Sequence, residues 1–149
     1  VLRRPPRPRL FAWRRFFRFN DLVGDLATAR TEAATRQQMT CLQAVGGNWH
    51  DGWQVKVDVN GDGDCNDAGD IVVRDRGAFG ANFKISAERS GSSLTAIVYR
   101  SDGSVDGASA DTELKLCKEA GSHPQRVLVK VRASGIASAY RDTAGGTSC

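Results

Sequence analysis

The segment Asp58-Val-Asn-Gly-Asp-Gly-Asp-Cys-Asn-Asp-Ala-Gly-Asp70 sets five aspartates and two asparagines among three glycines. Hard oxygen ligands at alternate positions suit calcium. With Asp58 as ligand position 1, Asn60, Asp62, Gly63 and Asp64 fall at positions 3, 5, 6 and 7, the first half of a D-x-[DN]-x-[DN]-G loop. Position 12 is Gly69 in place of the closing bidentate glutamate, Asp70 comes one residue late, and a strand pattern leads in where an EF-hand has a helix. Such a site would be shallow and would hold calcium only in the millimolar range. The competing reading, which the sequence favours, is a polar hairpin tip in which glycine and asparagine supply positive φ. On that reading the chain needs no cofactor.

Other residues that could do chemistry are few. Cys41, Cys65, Cys117 and Cys149 form no C-x-x-C pair and have only His50 and His123 to help them, which disfavours zinc. An even number at wide spacing points to two disulfides and an oxidising compartment. Of three connectivities, the expected one joins Cys41 to Cys65 and Cys117 to Cys149, because each bond would tie a strand to a segment that otherwise lacks an anchor. Each would contribute roughly 3 to 4 kcal/mol on chain-entropy arguments. There is no G-x-S-x-G, H-E-x-x-H, Walker loop or G-x-G-x-x-G, and both histidines read as exposed turn residues. The chain does not read as an enzyme.

The elements that would carry these residues follow from periodicity. The 149 residues fit one domain with a sizeable core. The formal charge of +4 comes from residues 1–19, which hold seven of the 21 cations and no acid; the rest carries 14 basic against 17 acidic residues. A body that is mildly acidic does not form the broad basic face of a nucleic-acid binder. Residues 1–19, with Arg, Pro and Phe/Trp, resemble neither a signal peptide nor a folded element. They read as a cationic membrane-active arm, a nucleic-acid arm or, preferably, sequence foreign to the domain, such as a cloning scar or a wrong frame of GC-rich DNA.

From Asn20, an N-cap candidate, Leu22, Leu26, Ala29 and Ala33 recur on one helical face, predicting a helix over 20–38. Beyond Met39 the period becomes two. Trp53, Val55, Val57 and Val59 are expected to face one way, and Leu94, Ala96 and Val98 likewise; Phe83 to Ala87, Leu114 to Leu116 and Val127 to Val131 alternate too. Turn clusters separate the runs. The prediction is an α+β domain over 20–149, one N-terminal helix packed on antiparallel sheet of seven or eight strands.

The order of these features resembles the minor pilins and pseudopilins of the FimT, FimU and GspH type. The helix "NDLVGDLATARTEAATR" is similar to theirs at Asn20, Leu26, Ala29, Arg30, Glu32, Ala33 and Arg36. "WHDGWQVKVDVNGDGD" resembles the W-x-x-G-W strand that runs into an acidic hairpin, carried by Trp49, Gly52 and Trp53. "ELKLCKE" and "RVLVKVRASG" resemble the cysteine strand and last strands of the family. Trp49 and Trp53 are expected to anchor helix to sheet as core residues.

The resemblance implies a pilin-like, non-enzymatic subunit that assembles or primes a type IV pilus or type II secretion pseudopilus. Its partners would be other minor pilins or pseudopilins, met through the exposed helix face around Arg30, Glu32 and Arg36 and through sheet edges. Localisation would be periplasm or cell surface, with inner-membrane anchoring before assembly through an N-terminal apolar helix that residues 1–19 do not resemble. Some relatives implied in DNA uptake carry Gly-Arg-x-Arg near the C-terminus. Here Gly135 matches but Ile136 and Ser138 stand at the arginine positions, leaving Lys130, Arg132 and Arg141 as the residues for a weak DNA contact. The rival class is therefore a secreted module binding DNA or, through Asp58, Asn60, Asp62 and Asp64, calcium.

Overall fold

In a computed structural model of the chain, residues 11–118 and 125–141 are described. Helix α1, Phe11–Arg36, is followed by β1 (Thr40–Ala44), β2 (Trp53–Val57), β3 (Ile71–Arg76), β4 (Phe83–Arg89), β5 (Ser92–Ser93), β6 (Ala96–Tyr99), β7 (Thr112–Lys118), β8 (Gln125–Val131) and β9 (Ala137–Arg141). All pairing is antiparallel, in two sheets ordered β3-β2-β1-β6 and β5-β4-β7-β8-β9. The architecture is the expected α+β, one helix on antiparallel sheet, with nine strands in place of seven or eight; the two-residue β5 has too short a period to read.

The helix is longer at its start than expected. It spans 26 residues, about 39 Å, and runs through Asn20, which is therefore no N-cap. The composition change at Asn20 marks no break in the helix, because the Arg, Phe, Trp and Ala of residues 11–19 all favour or tolerate helix; residues 1–10 lie outside the described residues. At the other end Gln37 takes positive φ (54°) and the Gln38 N–H reaches back to the Ala33 carbonyl (3.2 Å), a Schellman stop two residues before the expected end. Arg36 in the last turn suits the helix dipole and pairs with Glu32 at 2.5 Å. Among the described residues no helix is long and apolar enough to cross a membrane.

Leu22, Leu26, Ala29 and Ala33, all fully buried, form the helix stripe as predicted. They meet the front face of the four-stranded sheet, where register aligns Leu42 with Val55 and Ile97, Ala44 with Trp53, and Thr40 with Val57 and Tyr99. Two readings of alternation are corrected here. In β6 the buried residues are Ile97 and Tyr99, while Ala96 and Val98 are half-buried on the back face; Leu42 and Thr40 opposite fix that register. Val59 does not continue the inward series, because β2 ends at Val57 and the chain turns into the loop, leaving Val59 45% exposed.

Candidate functional site

The acidic loop starts where β2 ends. Asp58 is the hinge: its N–H donates to the Met39 carbonyl (2.9 Å), and its carboxylate accepts from the N–H groups of Gly61 (2.7 Å) and Gly63 (2.8 Å). At 1% exposure it organises backbone from inside the loop. Asp70 closes the base, accepting from the N–H of Val59 (3.2 Å) and of Asp67 (3.0 Å). Of the four residues expected to ligate, Asp62 and Asp64 come together, joined by Asp67, with carboxylate oxygens within 4.8 Å of one another. Asp58 is spent on backbone, and Asn60 turns its amide N–H groups toward Asp62 (3.1 Å) and Asp67. The sequence reading missed Asp67 because it counted only alternate positions; its place nine residues after Asp58 was the available clue.

Asp62 and Asp67 titrate apart. The Asp64 N–H, followed by the Asn60 amide, holds Asp62 below the ordinary value. Asp67 also gains from Asn60, but the Asp62 charge and the contact with Asp62 outweigh it and set Asp67 above the ordinary value.

The loop folds onto the back face of the four-stranded sheet, opposite the helix. Cys41 points there from β1, beside Val98 and Lys56 in register, and is bonded to Cys65 with Cα atoms 6.3 Å apart. This is the expected first disulfide. Lys56 donates to the Cys65 carbonyl (3.3 Å) and Gln43 to the Asn66 side chain (2.6 Å). Cys117 lies on β7, and its expected partner Cys149 lies outside the described residues, as does His123. His50 is half-buried in a 3₁₀ turn, where its N–H donates to the Asn48 side chain (3.1 Å) and its carbonyl accepts from Phe79 (3.0 Å).

Among the described residues, the front face carries a buried carboxylate paired with a cation. The Asp25 carboxylate, 2% exposed, accepts from Trp53 Nε1 (2.8 Å) and from Arg76 Nε (2.8 Å) and Nη2 (3.1 Å). Those bonds raise the Arg76 guanidinium above its ordinary value, against burial. Each partner satisfies the others, the condition on which a buried charge is tolerated. Trp53 stacks its ring 5.2 Å from Phe79, and Trp49 donates to the Leu94 carbonyl (2.7 Å). Gly52 between them has φ of 103°, and a Cβ there would stand 2.0 Å from the Arg76 carbonyl oxygen, so W-x-x-G-W needs its glycine. The tryptophans are core residues.

A groove of about 410 Å³ runs between α1 and two turns, lined by Val23, Ala27, Thr31, Ala34, Asp102 and Ile136 among others. Arg30, expected on the free helix face, is instead half-buried at its edge, with Nε donating to the Gly103 carbonyl (3.0 Å). Gly135, with φ of 92°, packs so closely that a Cβ would meet Gly103 O at 2.0 Å and Arg30 Nε at 2.9 Å. The glycine shared with the DNA-uptake motif thus has a packing reason here.

The three residues kept for DNA do not converge. Lys130 faces away from the core beside Glu113 (3.7 Å), Arg141 is in register with Val127 on the opposite face of the sheet, and Arg132 stands exposed in the turn before β9.

Comparison with known proteins bears on this geometry. No curated protein matches the sequence. Two crystal structures of the type IV minor pilin FimU of Pseudomonas aeruginosa (strain PAO1) share the fold. The form in space group P21 aligns with TM-score 0.66 at 15% identity over 93% of this chain and 98% of FimU. The P65 form gives 0.61 at 14% identity, over 87% and 95%. Residues 19–135 match the family described as Type II transport protein GspH. That span contains α1 from Phe19 onward, the stapled acidic loop and the Arg30 clasp, so the chain belongs to the GspH family of pilin-like proteins, whose members are structural subunits of pili or pseudopili.

Proposed function

We propose that this chain is a minor pilin or pseudopilin subunit that helps assemble or prime a type IV pilus or a type II secretion pseudopilus by contacts between folded heads. The observation that carries the reading is the exposed side of α1. Small side chains at Ala27, Thr31, Ala34 and Thr35 leave the groove beside Ile136 open to a neighbouring subunit, while the opposite stripe is fully buried. Half-buried Glu32 and exposed Arg36 form a mutual ion pair away from the groove, and Arg30 is committed to holding the turn. The partners are other minor pilins or pseudopilins, and the place is the periplasm or the cell surface, in keeping with a Cys41–Cys65 disulfide. Deleting the gene should reduce filament number or secretion, and a copy with Ala27→Arg plus Ala34→Arg should not restore it although it folds. Full restoration by that copy would exclude the helix face as the working surface.

A second reading, favoured by the Asp62, Asp64 and Asp67 cluster, is weak calcium binding that stiffens the loop. Calorimetry should then show heat at millimolar calcium that Asp64→Asn plus Asp67→Asn removes; no heat ends this reading. DNA contact has less support, since its three cations are spread over two faces and a turn. Gel shifts falling steeply with salt and lost on Arg132→Ala plus Arg141→Ala would be needed to sustain it.

A further inference from the structure

The large exposed hydrophobic residues among the described ones are Val59, Ile71, Val72, Ile136 and Tyr140. They gather at two places. Val59, Ile71 and Val72 lie on β3 and on the residues that lead to it; Ile136 and Tyr140 lie on β9 and just before it. β3 and β9 are the terminal strands of their sheets, so each presents a row of backbone N–H and C=O groups to which no strand pairs among the described residues. The other two edges differ. β6 is covered by the 104–106 segment, through Asp106 N to Val98 O (2.7 Å) and Ser104 O to Arg100 N (2.8 Å), and β5 has only two residues. Natural proteins seldom leave apolar side chains on an open edge unless something docks there.

Charge also differs between the loop before β3 and the end of β9, while β3 itself carries Arg74, Asp75 and Arg76. β3 emerges from the loop that displays Asp62, Asp64 and Asp67, all exposed. β9 ends on exposed Arg141, and exposed Arg132 precedes it. Ile136 and Ala137, at the beginning of β9, line the groove beside α1, whereas Ala139, Tyr140 and Arg141 are all exposed. The lengths match, six residues in β3 against five in β9. Antiparallel pairing of Ala137–Arg141 with Ile71–Arg76 would lay Arg141 beside the start of β3, next to the acidic loop, with Tyr140 against Ile71 and Val72.

We infer that the β3 edge of one copy receives the β9 edge of a second copy, a head-to-tail contact specified by the Asp62/Asp64/Asp67 charge on one side and Arg141 on the other. The inference rests on the reading that these heads work by contact with other subunits, and it names one such partner as this chain itself. The contact is heterologous and leaves an unused β3 and β9 at the two ends of every pair, so it propagates without a fixed size. A bulge at Val73, where the register with β2 shifts between Val55 and Lys56, shortens the straight part of the edge. Such a contact is small, with affinity of roughly 10 μM to 1 mM.

Sedimentation velocity on the purified oxidised chain tests this. The expected result is weight-average size rising with concentration without a plateau and falling as salt is raised, with amide exchange at 71–76 and 137–141 slowing as concentration rises. Arg141→Glu alone and Asp67→Lys alone, both at exposed positions, should each weaken self-association by roughly tenfold or more. An equimolar mixture of the two variants should recover it, because each supplies the charge the other lost. Circular dichroism should show that both variants are folded. A chain that stays monomeric at millimolar concentration and low salt, association indifferent to both reversals, or variants that fail to rescue one another would each overturn the inference. If the chain is monomeric yet still incorporated into filaments, the self-contact fails while the subunit reading stands.

Discussion

The two faces of the four-stranded sheet are held by different physics. On the front, Leu22, Leu26, Ala29 and Ala33 of α1 pack on Leu42, Val55, Trp53 and Ile97, all but excluded from water. On the back, the covering loop contributes Cys65 to the buried interior and otherwise polar groups. Its shape comes from the Asp58 and Asp70 carboxylates accepting backbone N–H groups, and its position from the Cys41–Cys65 bond. The front face is stabilised by burial and tolerates little change in volume. The back face stands on a covalent bond and a few capped turns, so it can loosen without dissolving the core.

The largest effect should come from the front. Trp53→Ala removes a fully buried indole and leaves Asp25 without its indole donor, and should cost about 3–5 kcal/mol in denaturant unfolding. Replacing both Cys41 and Cys65 by serine should cost about 3 kcal/mol, for a loop of 24 residues. Native-state amide exchange should then speed up across 58–70 while β1, β2 and β6 remain protected. Equal loss of protection on both faces would break the contrast.

Asp58→Ala sharpens it further, since the N–H groups of Gly61 and Gly63 lose their acceptor: about 1–3 kcal/mol, confined to the loop in exchange measurements. The smallest effect concerns Tyr99 on the front face. Its hydroxyl is buried with no hydrogen-bond partner among the described residues, and burial raises its pKa above the ordinary 10.0. In the folded state the phenol keeps its proton where the unfolded chain would lose it. Stability should therefore be unaffected below pH 10.0 and decline above it, by at most about 1.4 kcal/mol per pH unit. Tyr99→Phe should remove that alkaline decline and leave neutral-pH stability nearly unchanged.

What could be read in the sequence follows the same division. The helix stripe, the strands at 53–57 and 127–131 and the core role of the tryptophans obey periods of 3.6 and two, because burial on one face imposes them. In β6 the pattern misled, since Ala96, Ile97, Val98 and Tyr99 are all apolar enough for either face and only pairing with Leu42 decides. The start of α1 was hidden by composition. In the loop, the Cys41–Cys65 link was legible as a strand tied to a segment that otherwise lacks an anchor, whereas the inward turn of Asp58 and the arrival of Asp67 beside Asp62 depend on φ values at Gly61 and Gly63 that residue types permit without specifying. Arg30 looked like surface charge because its acceptor, the Gly103 carbonyl, comes from 73 positions away.

The most direct test of the subunit reading is to shear and purify filaments from cells whose only copy of this gene carries an epitope tag, and to measure the chain by quantitative mass spectrometry. The expected result is a small, fixed ratio of this chain to the major subunit in the filament fraction, with fewer filaments when the gene is deleted. A chain confined to the periplasmic fraction, together with normal filaments and secretion in the deletion strain, would contradict it.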